Sequence, residues 1–166
     1  MRIYNVHERS MAGPATVVSD LLDGLAGPND RLWPGDQWPP MKFDAPLCVG
    51  SAGGHGVVHY RVSEYVPGSK VTFRFDNSGL VAGWDGRHWF EVIPDGERTV
   101  LRHVIDAKCD FRAWLFWAVA VKPLHDALLE DALDLAERAT NPSSPRSSRW
   151  SPWVRFLRFL LKRKNG

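Results

Sequence analysis

The residues with the most chemical capacity in this sequence are His88 and His103, which sit in two alternating segments on either side of Asp95-Gly96. Asp-Gly between two such segments signals a two-residue hairpin. Counting outward from that turn pairs Val92 with Thr99, Phe90 with Leu101, and His88 with His103. Side chains alternate along a strand, so the face that carries Phe90, Val92, Leu101 and Ile105 carries both histidines too, while Trp89, Glu91 and Arg102 point outward. As directly opposed neighbours, their Cβ atoms would lie about 5 Å apart. Two imidazoles on an apolar face can be neutral core residues, polar anchors for a ligand, general acid and base groups, or half of a metal site. Zinc would need further ligands, and the sequence places no Cys or acid to supply them. Neither a metal nor a cofactor is expected.

Other reactive residue types lack context. A single strand through His55 and His59 would hold them about 13 Å apart, too far to share an ion. Gly53-Gly54-His55-Gly56 opens no helix and is followed by no Lys-Ser/Thr pair, so it is not a phosphate loop. Ser51 and Ser63 have no base beside them in the pattern of a hydrolase. Cys48 and Cys109 form no CxxC or Cys/His cluster, and the first residues contain no apolar leader-like run. The expectation is a cytoplasmic protein with free thiols.

The elements that must position the histidines follow from periodicity. At 166 residues the chain has room for one core. Residues 2–11 alternate as a strand. Gly13-Pro14 opens a helix with Val17, Val18, Leu21, Leu22 and Leu25 along one stripe, and a second short helix is expected around 29–33. Four breakers in Trp33-Pro34-Gly35-Asp36-Gln37-Trp38-Pro39-Pro40 make that stretch a loop. Strands are expected at 47–51, 57–66, 71–76, 87–93 and 98–110, with a bulge or turn at Ala52-Gly53-Gly54. From 111 to 140 the spacing of Trp114, Trp117, Val121, Leu124, Leu128 and Leu135 is helical, with Glu130, Asp131, Asp134 and Glu137 on the opposite side. Pro123 should kink that helix or mark a break.

Pro67-Gly68 fixes the other hairpin. A two-residue turn there sets Val62 opposite Phe73 and Tyr60 opposite Phe75, so these four share an inner face. With eight Trp and eight Phe in the chain, bulky rings can both fill a core and line a ligand site. The expected lining comprises Tyr60, Val62, Phe73, Phe75 and Trp84 from one part of the sheet. His88, Phe90, Leu101 and His103 complete the sheet's share, and Trp114 and Trp117 come from the last helix.

The net charge of +2 conceals an asymmetry. Residues 146–166 hold seven cations and no acid, and removing those seven leaves the rest of the chain at −5. The basic character therefore belongs to a tail and gives no reason to expect nucleic-acid binding. After a domain of residues 1–140 and a flexible linker at 141–149, residues 150–166 form a basic amphipathic helix. Its stripe is Trp153, Phe156, Leu157, Leu160 and Leu161, with Arg155, Arg158 and Lys162 off it, and Arg163 is expected among the membrane contacts with them. Such a helix suits the headgroup region of an anionic membrane. Its own domain and another copy of the chain, as in a homodimer, are the other two surfaces open to it.

Three stretches carry a family resemblance. The run Val62-Ser63-Glu64-Tyr65-Val66-Pro67-Gly68-Ser69-Lys70-Val71-Thr72-Phe73 resembles a hairpin of the SRPBCC superfamily (START-like, Bet v 1-like and polyketide cyclase-like proteins). Arg87-His88-Trp89-Phe90-Glu91-Val92-Ile93-Pro94 with Thr99-Val100-Leu101-Arg102-His103 is similar to its next hairpin. Residues 114–133, around Pro123-Leu124-His125-Asp126, look like its C-terminal helix. The resemblance covers residues 1–140. It implies an α+β helix-grip fold: two short helices after the first strand, and an antiparallel sheet of about six or seven strands wrapped around a long helix, with a deep cavity between. It implies no particular reaction, because the superfamily is functionally diverse. The reading that follows is binding or transport of a hydrophobic small molecule, such as a lipid, quinone or polyketide-like aromatic. The second reading is a cyclase or dehydratase that moves protons with His88 and His103.

Overall fold

The structure, a computed structural model, describes residues 1–145 and 148–164, with side chains through Leu161. Strand β1 (Arg2–Ala12) leads into helix α1 (Ala15–Asp23). The strands β2 (Met41–Phe43), β3 (Ala52–His55), β4 (Val58–Val66), β5 (Lys70–Phe75), β6 (Asp85–Asp95) and β7 (Arg98–Lys108) follow. Helix α2 (Phe111–Phe116) passes through a π turn (Trp117–Val121) into α3 (Lys122–Thr140), and α4 (Pro152–Lys164) ends the described chain. The seven strands form one antiparallel sheet in the order β1-β7-β6-β5-β4-β3-β2. Its inner face curls around α3, with α1 packed against both. This is the helix-grip fold.

The local chemistry explains the departures from expectation. The second short helix is absent. Asp30 instead accepts the backbone N–H groups of Ala26, Leu32 and Trp33, which ties the segment into a loop. The strand expected at 47–51 is also absent. The strands β2 and β3 flank that stretch instead, and β3 contains the Gly53-Gly54 that reads as a turn. Glycine is needed there for close approach, since a Cβ on Gly53 would lie 2.0 Å from the Lys42 carbonyl oxygen. The chain reverses at Gly56, whose φ is +57°. His55 and His59 therefore fall on different strands, contrary to the single strand expected.

The break at Pro123 lies where the sequence put it. Proline has no N–H for the carbonyl four residues back, and the π turn immediately precedes α3.

Asp131 and Asp134, expected on the solvent side of α3, are buried. Asp131 accepts hydrogen bonds from the indole N–H groups of Trp38 and Trp150, both at 2.8 Å, and from the Ser148 hydroxyl at 2.6 Å. Asp134 accepts from Arg9 and from the Ser148 backbone N–H. Arg158 of α4, expected to face a membrane, lies between the rings of Trp38 and Trp150, 4.2 and 3.9 Å from their centroids. It donates to the Gln37 carbonyl as well. Val154 is buried and Leu157 half-buried on the same side. The helix thus docks on its own domain.

Candidate functional site

The histidines meet inside the sheet by a route different from the one counted. Gly96, with φ +61°, takes the first loop position rather than the second, so the turn is Gly96-Glu97 and Asp95 pairs with Arg98. Every pair moves by two residues: Val92 faces Leu101, Phe90 faces His103 and His88 faces Ile105. A shift of two preserves which face each side chain takes. His88 and His103 are therefore diagonal rather than opposed neighbours, and both point inward. They are 5 % and 2 % exposed. Their rings are 5.4 Å apart, and His88 Nδ1 lies 3.3 Å from His103 Nε2.

The other hairpin reaches its expected pairing through two offsetting changes. The turn after β4 is one residue longer than expected, so Val66 pairs with Lys70. A bulge between Val62 and Glu64 then restores Val62 opposite Phe73 and Tyr60 opposite Phe75. These rings surround His88. Tyr60 meets it edge-on at 4.7 Å, and Phe73 and Phe75 stack on it at 4.9 and 5.0 Å. Phe90 packs edge-on against His103 at 4.6 Å.

Two further histidines join this centre. His125 of α3 sits 5.1 Å from the His103 ring and 5.7 Å from Trp117, and Trp117 meets Trp84 at 5.4 Å. His55 of β3 lies 3.0 Å from the Tyr60 hydroxyl through Nδ1 and packs on Trp33 at 4.8 Å. The sequence carried a signal for His125. It falls eight residues after Trp117 and three before Leu128, on the inward stripe of the helix. His55 was masked by the glycines around it.

Of the expected lining, Tyr60, Val62, Phe73, Phe75, Trp84, Phe90, Leu101 and Trp117 are buried with the two histidines, whereas Trp114 is half-buried and stacks on the exposed Phe111. The residues converge into one tightly packed aromatic core. Leu32, Trp33, Trp38 and Met41 from the 28–43 stretch pack into the same core, and Phe43 stacks on Phe73 at 5.8 Å. A hollow of about 460 Å³ opens at the surface instead, lined by polar residues such as Arg61, Arg74 and Asp85, and it reaches Phe75 and Trp84 of the inner set.

Burial controls the protonation of the centre. Loss of hydration, reinforced by neighbouring imidazoles, holds His88 and His103 well below the ordinary histidine value, and burial pushes His55 down to about 3. His125 is also lowered, by burial first. All four are neutral near pH 7. In a neutral pair bridged by one hydrogen bond, His88 Nδ1 donates to His103 Nε2 or the reverse. Either tautomer leaves one free donor and one free acceptor. The atoms concerned, His88 Nε2 and His103 Nδ1, are buried and have no hydrogen-bond partner among the described residues, and nor has His125 Nδ1, which lies 3.9 Å from Asp126 Oδ1.

His7, His125 and Asp126 each offer a ligand atom within 4.8 Å of the others. The donors there already serve one another. His7 bonds Asp126 at 3.0 Å and Glu130 at 2.8 Å, while Asp126 also accepts from Lys122 and Asn5. A lysine ammonium on the shared carboxylate opposes a cation at that point.

No family model matches the chain, and no curated protein matches it in sequence. Solved structures do resemble it. A Thermobifida fusca protein solved by NMR superposes with a TM-score of 0.64 at 16% identity, covering 88% of this chain and 99% of that one. A norcoclaurine synthase point mutant from Thalictrum flavum, in complex with a transition-state analogue, has a TM-score of 0.64 at 14% identity over 87% of this chain and 98% of that one. CalU16 from Micromonospora echinospora has a TM-score of 0.55 at 14% identity, covering 93% of this chain and 80% of that one. The fold shared with these structures is the Bet v 1-like helix grip that the SRPBCC resemblance implied.

Proposed function

We propose that this helix-grip chain binds a small, largely apolar and aromatic molecule in its core, with the polar group of that molecule seated on His88 and His103. One observation carries the reading: two adjacent neutral imidazoles, walled by Tyr60, Phe73, Phe75 and Phe90, each keep a buried ring nitrogen without a partner. Interiors built only for stability pair their buried polar atoms, because an unmet one costs about 1–3 kcal/mol. The pair offers one unmet donor and one unmet acceptor. That pattern suits a phenol, an enol or a carbonyl beside a hydroxyl. The surface hollow that reaches Phe75 and Trp84 gives a direction of access, and Trp33 and Phe43 are the rings a ligand would displace.

The test uses 2-naphthol, a planar apolar probe with one hydroxyl. Titration followed by heteronuclear NMR should shift the imidazole signals of His88 and His103. His88→Phe with His103→Phe should weaken binding at least about tenfold, the loss expected when a buried ligand hydroxyl loses both partners. Native mass spectrometry of purified protein provides a second arm. If no co-purified mass is found and 2-naphthol leaves the centre undisturbed, the reading fails.

The bridged imidazole pair also favours a second reading, acid–base catalysis of the cyclase or dehydratase type. A proton accepted at one unmet nitrogen can be matched by one released at the other as the tautomer reverses. Turnover of an aromatic polyketide-like substrate that survives His88→Ala with His103→Ala would remove this reading and leave binding in place.

A further inference from the structure

The docking of α4 leaves its aromatic side outside. Val154, Leu157 and Arg158 face the domain, while Trp153, Phe156 and Leu160 are 44 %, 48 % and 46 % exposed. A second apolar surface stands next to it. Leu115 and Val119, at the end of α2 and in the π turn, are 48 % and 51 % exposed.

A specific bond joins the two. Pro123 has no N–H to offer the Val119 carbonyl, and that carbonyl accepts the Trp153 indole N–H at 2.9 Å. Trp153 in turn stacks on Phe156 at 5.5 Å. Leu115, Val119, Trp153, Phe156 and Leu160 therefore run as one exposed strip across two elements far apart in sequence. Isolated exposed apolar residues need no explanation, but a contiguous strip does.

Charge singles out the occupant. Neither 111–122 nor 149–164 contains an acid. Arg112 on α2, Arg149 just before α4 and Arg155 on α4 are exposed, and the sequence adds Lys162, Arg163 and Lys164 at the end of α4. An acid-free apolar strip with an interfacial tryptophan and flanking cations matches an anionic lipid surface, where apolar side chains enter the headgroup boundary and cations meet the phosphates. Among the described residues no helix is long and apolar enough to cross a membrane, so the fit is to a surface.

We infer that the α2–π turn and α4 together form a docking face for an anionic membrane, with Val119–Trp153 as its joint. The face differs from a mobile basic tail in two respects. It is held on the domain by the Asp131, Trp38, Trp150 and Arg158 contacts beneath α4, and two of its five apolar residues, Leu115 and Val119, lie outside residues 150–166. It is independent of whether the histidine centre takes a ligand.

Flotation of the full chain with phosphatidylcholine vesicles, with and without phosphatidylglycerol, tests it. The chain should float with the anionic vesicles alone, and less so as salt rises. Leu115→Glu with Val119→Glu leaves residues 150–166 untouched and should reduce flotation at least about tenfold, as should Phe156→Glu with Leu160→Glu. These side chains are half in solvent, so the unfolding midpoint should barely move, and Arg149→Gln with Arg155→Gln gives a milder variant that keeps the apolar strip. Equal flotation of Leu115→Glu with Val119→Glu and the parent would overturn the two-element face. So would equal flotation with neutral vesicles. A dimer by sedimentation that the Val119 variant disperses, with no flotation, would assign the strip to a second copy of the chain instead.

Discussion

Two regions of one sheet face carry polar side chains inward, and charge separates them, although Asn5 Oδ1 of β1 is buried without a hydrogen-bond partner among the described residues, as the histidine nitrogens are. Along β1, His7 and Arg9 meet α3, and every charge is answered: His7 by Asp126 and Glu130, Arg9 by Glu130, Asp134 and Glu137. On β6 and β7, His88 and His103 meet rings and one another, and a nitrogen on each is left unmet. The first pattern is what stability requires of polar groups near a core. The second is tolerated only because neutral imidazole is inexpensive to bury compared with a charge. The contrast separates a structural seam from a site.

The largest effect that should expose it is acid destabilisation. Burial lowers His55, His88, His103 and His125 in the fold, so the unfolded chain takes up protons first as pH falls below about 6.5. Their contribution is fully present above that pH and is lost on the acid side, at up to about 1.4 kcal/mol per pH unit for each group titrating. His7 has the opposite sign. Burial works against its charge, but hydrogen bonds to Asp126 and Glu130 prevail and raise it, so its contribution is present below about pH 6.5 and fades as pH rises through its folded value. Urea midpoints measured from pH 5 to 8 should rise with pH overall. His88→Phe with His103→Phe should flatten that rise, whereas His7→Asn should steepen it. A parent curve that falls with pH over this range would contradict the neutral centre.

Next in size is the seam itself. Arg9→Ala takes the guanidinium away from Asp134, whose side chain is 1% exposed, and leaves that carboxylate with the Ser148 backbone N–H beside Glu130 and Glu137. Breaking a well-buried pair costs about 3–5 kcal/mol, and with Arg9 still 16% exposed the lower end, about 3 kcal/mol, is expected by chemical denaturation. A smaller loss tests the clasp beneath α4. Trp38→Phe removes one indole N–H from Asp131 and leaves Trp150 and Ser148 in place, so about 1 kcal/mol should go.

How much of this the sequence shows depends on parity and on partners. Parity was legible. The miscounted Asp95-Gly96 turn moved His88 and His103 by two residues, which changed their neighbours and left their face intact, and at Pro67-Gly68 a longer turn and a bulge cancelled. The helix-grip order and the Pro123 break were legible for the same reason, since each rests on local period or on a missing N–H. Partners were not legible. Asp131 reads as a solvent residue until Trp38 and Trp150, far from it along the chain, supply indole donors. Arg158 reads as a lipid contact until the same two rings take it between them. Nor does any local pattern reveal that the 28–43 stretch packs Trp33 on His55 and Phe43 on Phe73.

The smallest stability effect is the most informative. His88→Phe with His103→Phe, measured near pH 7.5, removes a weak bond between two neutral groups and two unmet nitrogens at once, and replaces them by rings that Phe73, Phe75 and Phe90 already accommodate. Replacing both partners by apolar groups of similar shape is close to neutral, so the change should lie within about 1 kcal/mol of zero, with stabilisation the expected side. If the histidines instead hold the core together, as Arg9 holds β1 to α3, the double variant should lose several times that amount. A core that gains stability when its two central polar residues are removed retains them for something other than folding, and in the same preparation the 2-naphthol affinity shows whether that is binding.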